Sequence, residues 1–317
     1  MVYFLVTIDT EEEGLWGGQY HRHPDCTVEN IQYLPKFQKF CDKLGLSPTY
    51  LIDYPVVANV KAKNILKNLL ESGNCEIGAH LHPWCNPPYE EEINPRNSFV
   101  NNLPQELQLK KLRVLTESIV EQLGVTPISY RAGKYGFDTS SIPVLEALNY
   151  QVDSSVVPLR NNRREHEVTF GNVSLNPYYL NPDNVEKPGN SSILEVPITV
   201  DFTKKLPAFL KTVYPNLPDI GIRRFLKLVG GIELVWLRPS YASLNHMKKM
   251  VETVLSNGTV FLNMMFHSSE LMPGASPYNK TEEDVENFLN KIKELYLYVA
   301  SRREIQSITL SQTLDVC

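Results

Sequence analysis

Two histidines one residue apart, in Glu76-Ile77-Gly78-Ala79-His80-Leu81-His82-Pro83-Trp84, give the clearest chemical signal in the chain. Polar and apolar residues alternate there, as in a strand. Side chains on a strand repeat every second residue, so Glu76, Gly78, His80 and His82 share one face, with Ile77, Ala79 and Leu81 on the other. Two imidazoles placed this way can share a metal ion. Pro83 cannot donate a ladder hydrogen bond, which ends the pairing and leaves both rings at an open rim. The plainer alternative is two histidines packed beside Trp84. The same parity puts Thr7, Asp9 and Glu11 on one face if the first strand runs on past residue 8. Arg131, Asp153 and His267 stand at the ends of further expected strands. Each alone has an ordinary reading, as a surface cation, a helix-capping acid and a core histidine. Gathered at the same end of several parallel strands, they imply a shared site, because the loops beyond those ends converge on one mouth.

The elements that must position these groups alternate along the chain. Strands are expected over residues 2–8, 49–52, 76–82, 128–132, 150–156, 193–200, 260–266 and 305–310. Between them, apolar residues at helical spacing mark helices through Ile31 to Leu44, Ile65 to Leu70 and Leu112 to Leu123, closed by Gly45, Gly73 and Gly124. Later helices cover 141–148, Leu244 to Val254 ending at Gly258, and a last one capped by Thr281. Strand–helix alternation argues for an α/β fold with a parallel sheet, layered or closed into a barrel. The 317 residues suit one large barrel or two smaller domains. The loop 85–104 is long enough to be a binding loop. Residues 158–243 break the rhythm and read as an irregular insertion or lid, with a strand and several short helices over 202–238.

A net charge of -5 and a pI near 5.9 leave no basic footprint for nucleic acid or an anionic membrane. The longest apolar stretch, 225–237, is interrupted by Lys227, Gly230, Gly231 and Glu233, too short and polar to span a bilayer. Peripheral membrane contact stays open, as does the oligomeric state. Residues 1–8 lack the charged leader of a signal peptide. Five cysteines without paired spacing suit thiols in a reducing cytosol, so a cytoplasmic protein is expected.

The ordered set Thr7-Ile8-Asp9-Thr10-Glu11, Gly78-Ala79-His80-Leu81-His82, Arg131-Ala132-Gly133-Lys134-Tyr135-Gly136, Asp153-Ser154-Ser155 and Phe266-His267-Ser268 resembles the polysaccharide deacetylases, carbohydrate esterase family 4. It is most similar to the subgroup tied to bacterial surface-polysaccharide synthesis. The resemblance spans almost the whole chain, with 158–243 least covered. It implies a single domain over 1–317, a distorted (β/α)7–8 TIM-like barrel with an inserted segment late in it. It implies metal-assisted hydrolysis of an N-acetyl or similar acyl group on a sugar in surface polysaccharide or lipopolysaccharide metabolism, with a divalent ion, zinc by family habit, bound by a carboxylate and two histidines.

Family roles carry over residue by residue. Asp9 would be the general base, Arg131 its ion-pair partner, and His267 the general acid, oriented by Asp153. Backbone N–H groups near Lys134 and Tyr135 would join the metal in holding the oxyanion. The second aspartate of the family's opening motif is Thr10 here, so Glu11, on the same side as Asp9, takes its place as ligand. The family's second histidine falls at Trp84, so His82 replaces it beside His80. The third motif carries an extra residue and no proline.

Trp84, Tyr89 and Trp16 could stack on sugar rings, with core packing the alternative for Trp16. His21 and His23 read as solvated or substrate-contacting, Glu12 and Glu13 as a solvated acidic edge or competitors of Glu11. Amidohydrolase barrels also use His-x-His, but after the first strand and with further ligands that this chain does not place. The reading from another class is a non-catalytic carbohydrate-binding or scaffolding protein on the same fold.

Overall fold

The computed structural model describes residues 1–18, 20–160, 166, 168–214, 221 and 230–317. β-branched and aromatic residues dominate Val2–Thr10 (β1), and all but one of its residues are buried, as in a central strand covered on both faces. The strands that follow are β2 (Pro48–Ile52), β3 (Glu76–Leu81), β4 (Ser129–Ala132) and β5 (Val152–Asp153). Next come β6 (Tyr178–Asn181), β7 (Asn184–Pro188), β8 (Leu194–Glu195), β9 (Val200–Phe202) and β10 (Leu234–Trp236). The last two are β11 (Phe261–His267) and β12 (Ile305–Ser307). The order β11-β1-β2-β3-β4-β5-β8 is parallel throughout, β12 adds to β1, and the β6–β7 hairpin joins β8 antiparallel.

The expected strand over 150–156 shrinks to β5, and that over 193–200 divides into β8 and the start of β9. The hairpin was not expected. Its Asn181-Pro182-Asp183-Asn184 turn hides two short strands inside a stretch that reads as loop. Within 158–243 the described residues also hold the antiparallel β9–β10 pair and a helix, Ala208–Val213. The remaining short helices expected there, and residues 225–229 of the apolar stretch 225–237, lie outside the described residues. No helix among the described residues is long and apolar enough to cross a membrane.

Helices Leu34–Leu44, Val60–Glu71, Gln105–Leu123, Leu244–Ser256 and Glu282–Ala300 pack their apolar stripes on the sheet's outer face. Their ends follow local chemistry. Asn59 and Ser243 cap two of them, Thr281 and Asp284 form a reciprocal capping box, and Gly45 and Gly124 end two others in the left-handed region.

Register fixes what the inner face carries. At the bottom, Leu5, Leu51, Val152, Leu194, Val196 and Phe261 form an apolar plug. Above it the Arg131 guanidinium bonds Thr7 and Ser154, and Asn263 bonds the same Ser154 hydroxyl. Thr199 N–H donates to Asn263 O at 3.1 Å, and Asn263 Nδ2 donates to Val196 O at 3.1 Å. The chain after β8 thus meets β11, the far end of the parallel run. The ladder itself stays open, so the expected barrel is realised as a curled, parallel-rich half-barrel.

Candidate metal centre and catalytic cleft

Above the Arg131 layer, strand parity brings Asp9, Glu11 and His80 to the inner rim, because Asp9 pairs with Leu51, Leu51 with Gly78, and His80 with Arg131. His80 Nδ1 lies 2.9 Å from the carbonyl oxygen of Arg131, which can only accept, so Nδ1 carries the proton. His82 Nδ1 lies 2.9 Å from Glu12 Oε2 and is protonated for the same reason. Both rings therefore turn Nε2 toward Glu11 Oε2, at 3.2 and 3.5 Å. One oxygen and two nitrogens, within 4.8 Å of one another, form a candidate set of metal ligands. Fixing the ring tautomer through Nδ1 is how proteins prepare histidine ligands.

The electrostatics fit a cation between these groups. Burial pushes the Glu11 carboxyl well up, and the acids Asp9, Glu12 and Asp53 push it further, against His267. Burial and the neighbouring His80 push His82 well down, toward the neutral form a metal needs. Without a cation, Glu11 is a buried carboxyl surrounded by acids; with one, that cost is relieved.

The groups behind His82 fix its ring. The Trp84 indole N–H donates to Glu12 Oε1 at 2.7 Å, and its ring stacks on His82 at 4.3 Å. The Glu12 N–H donates to Asp53 Oδ2 at 2.8 Å, while the other Asp53 oxygen caps the helix Tyr54–Ala58 at Val56. Gly133 passes so close that a Cβ there would lie 2.3 Å from His82 Cδ2 and 2.5 Å from Leu81 O. No larger residue fits without moving the ligand.

Beside the ligand set, Arg131 Nη1 donates to Asp9 Oδ1 at 2.6 Å. Burial alone would raise the Asp9 carboxyl, but the Arg131 guanidinium, with His80 and His267 nearby, holds it well below the usual carboxylate range. His267 Nε2 lies 3.6 Å from Asp9 Oδ2 and 3.7 Å from Glu11 Oε1. From behind, Arg238 Nη2 sits 2.7 Å from His267 Nδ1, and Glu270 Oε1 sits 3.2 Å from it. Arg238 and Glu270 thus hold the ring at Nδ1 and leave Nε2 turned toward the cleft. Burial would raise Glu270, but Arg238, His267 and Ser240 hold it down to about 2.

These groups line a cavity of about 160 Å³ with Leu15, Trp16, Tyr20, Lys134 and Tyr135. Lys134 and Tyr135 both have positive φ, 56° and 60°, an uncommon pair of left-handed non-glycine residues at the cleft wall. Lys134 Nζ donates to Tyr20 and Ser98 hydroxyls at 2.9 and 2.7 Å.

Asp9, Glu11, His80, His82, Lys134, Tyr135 and His267 thus share one cavity, with Arg131 directly beneath. Three expected placements differ. Asp153 does not hold His267: β5 pairs it with Tyr130 and Glu195, on the outer face, where it accepts from Ser155 Oγ at 2.7 Å. Its neighbour Ser154 takes the inner position, and Glu270 with Arg238 stands beside His267 instead. Trp84 is only 2% exposed, so its ring offers no face to a sugar and positions Glu12 and His82 instead. Glu12, expected at a solvated edge, is 3% exposed. His21 and His23 stay outside the cavity lining. Arg238, Glu270 and Asp53 went unnoticed in the sequence. Glu270 alone had left a mark, three residues after His267 at capping-box spacing.

No family model and no curated protein matches the sequence. Solved structures do. A candidate polysaccharide deacetylase of Mycobacterium smegmatis superposes with a TM-score of 0.57 at 13% identity, over 99% of this chain and 89% of that one. A candidate glycoside hydrolase/deacetylase of Parabacteroides distasonis gives 0.64 at 12% identity, over 99% and 70%. At such identities what the chains have in common is the curled α/β fold.

Proposed function

We propose that the protein is a metal-dependent hydrolase that removes an N-acetyl or similar acyl group from an amino sugar. The observation that carries this reading is the convergence of Glu11, His80 and His82 with Asp9 and His267 at one cleft. The fold shared with candidate deacetylases supports it. Following the motif resemblance, the sugar belongs to a surface polysaccharide or lipopolysaccharide.

Glu11, His80 and His82 would hold the cation, and one oxygen with two nitrogens suits zinc with a position open to substrate. The ion supplies Lewis acidity toward the acyl oxygen and lowers the pKa of a water. Asp9, kept ionised and aimed by Arg131, takes the proton of the attacking water. His267 delivers a proton from Nε2 to the departing amine, its ring held from behind by Arg238 and Glu270. The left-handed turn at Lys134 and Tyr135 forms the wall against which backbone N–H groups support the oxyanion. Trp16 and Tyr20 wall the cavity against water.

The test is metal content and amine release together. Purified protein is expected to carry about one divalent ion per chain and to release free amine from N-acetylglucosamine oligomers. Chelation should abolish the release and added zinc restore it. A metal-free protein, or release that survives chelation, would overturn the reading.

A further inference from the structure

The catalytic cleft holds an ammonium that the proposed chemistry leaves unused. Lys134 is the one lysine or arginine among the described residues lining that cavity, in a protein whose net charge is -5. Its backbone is fixed from behind. Arg160 Nη1 donates to Lys134 O at 2.8 Å, and the Arg160 guanidinium lies 4.8 Å over the Tyr135 ring. These contacts hold the left-handed pair Lys134 and Tyr135 in place. From there the side chain reaches two separate loops, where Nζ donates to the hydroxyls of Tyr20 and Ser98. Tyr20 also lines the cavity, its ring centre 4.8 Å from that of Trp84.

The partners of this ammonium are hydroxyls and rings. Nζ lies 4.0 Å from the centre of the Phe99 ring and 5.2 Å from that of Tyr20, and no carboxylate among the described residues pairs with it. The acids of the cleft are engaged elsewhere: Asp9 meets Arg131 at 2.6 Å, and Glu11 faces the imidazoles of His80 and His82. An ammonium has three N–H donors, and the two hydroxyls take two of them. Tying two loops through hydroxyls needs donors but no charge, and an amide side chain could do the same. A half-buried positive charge without a carboxylate costs desolvation, which an arriving anion relieves through a charge-assisted hydrogen bond.

We propose that the cleft takes an anionic sugar, an N-acyl amino sugar carrying a carboxylate or a phosphate that the Lys134 ammonium meets with its remaining donor. The assignment rests on the hydrolase reading, which names an amino sugar at this cleft, and adds the charge of that sugar. Lys134 is then a specificity-determining residue: its backbone belongs to the wall of the cleft, and its side chain selects among the sugars that enter. Arg160 acts through it, as a positioning residue that holds the turn from behind.

The experiment compares binding of neutral N-acetylglucosamine with that of anionic relatives by calorimetry, in a zinc-loaded Asp9→Asn background that does not consume the ligand. The relatives are two carboxylates, N-acetylmuramic acid and N-acetylglucosaminuronic acid, and N-acetylglucosamine phosphorylated at the anomeric or the primary hydroxyl. At least one is expected to bind roughly tenfold or more tightly than the neutral sugar, and which one does so identifies the anion. Lys134→Gln, which keeps donors for the two hydroxyls and removes the charge, should close that gap. If Lys134→Gln melts well below its parent, the unmutated cleft decides, because the gap should then narrow as salt is added. No anionic sugar binding better than the neutral one overturns the assignment. So does a gap that survives Lys134→Gln, which would put the anion on the metal, or an equal loss for both kinds of sugar, which would make the ammonium a structural pin. None of these readouts needs hydrolysis, so a failed amine-release assay would remove the catalytic reading without deciding this one.

Discussion

The sheet buries Asp9 on its inner face and the Asp153–Glu195 pair on its outer face, and the two end in opposite states. On the inner face Asp9 meets the Arg131 guanidinium at 2.6 Å and is held ionised. On the outer face Asp153 meets Glu195, and burial pushes both carboxyls up. Burial acts in the same direction on all of them; the partner decides the sign. An acid facing an acid holds its proton more tightly and serves packing. An acid facing a cation, at an open cleft with imidazoles across from it, is ready to accept one. Neither burial nor residue type separates the cleft carboxylate Asp9 from the outer pair, but the charge of the partner does.

The sharpest way to break this contrast is Asp9→Asn, which keeps the shape and removes the charge. Turnover on an N-acetyl sugar should fall by roughly 10²–10⁴-fold while bound metal stays near one per chain. Comparable turnover in the variant would take the general-base role from Asp9. The ligand set comes next. His82→Ala should weaken metal binding at least as much as Glu11→Ala, read by competition with a chromogenic chelator. Full metal retention by the His82 variant would move the site to the overlapping cluster of Asp9, Glu11 and His267.

How much of this was legible beforehand depends on whether parity or register was needed. Alternation within one strand is written in the chain, so Asp9, Glu11, His80 and His82 could be assigned to one face without a structure. Asp153 could not. Its face depends on β5 pairing Asp153 with Tyr130, so that Ser154 lines up with Arg131; a shift of one residue would have turned it inward. Glu12 sits in an acidic run that looks solvated, yet the turn after β1 lays its N–H on Asp53 and buries it. Arg238 comes from the irregular segment, where no periodicity points to a partner. The strand–helix alternation gave the α/β fold, whereas the β6–β7 hairpin was masked by its polar turn.

Glu12 and Trp84, which back His82, sharpen the contrast at a smaller scale. Glu12→Gln should cost about 10–100-fold in metal affinity, because the amide is a weaker acceptor for His82 Nδ1–H. Trp84→Phe keeps the stack on His82 but removes the indole donor to Glu12, so it should move affinity in the same direction and by less. If Trp84→Phe costs sugar binding and leaves metal affinity unchanged, its assignment behind the ligands is wrong.

The smallest effect belongs to the outer pair, and its sign distinguishes the two faces. A carboxyl raised on folding binds its proton more tightly in the native state, so its contribution is full below the unfolded value, 4.5 for Glu195, and is lost as pH rises through the folded one. Asp9 is lowered, so its contribution is present above 3.8 and lost as pH falls. Glu195→Gln cannot ionise but can still hydrogen-bond Asp153, so at acid pH its stability should stay within about 1 kcal/mol of wild type. As pH rises above 4.5 the variant's urea midpoint should fall less steeply than that of the wild type. Parallel midpoint curves would mean that Asp153 and Glu195 share no proton, and the distinction between the faces would then rest on Arg131 alone.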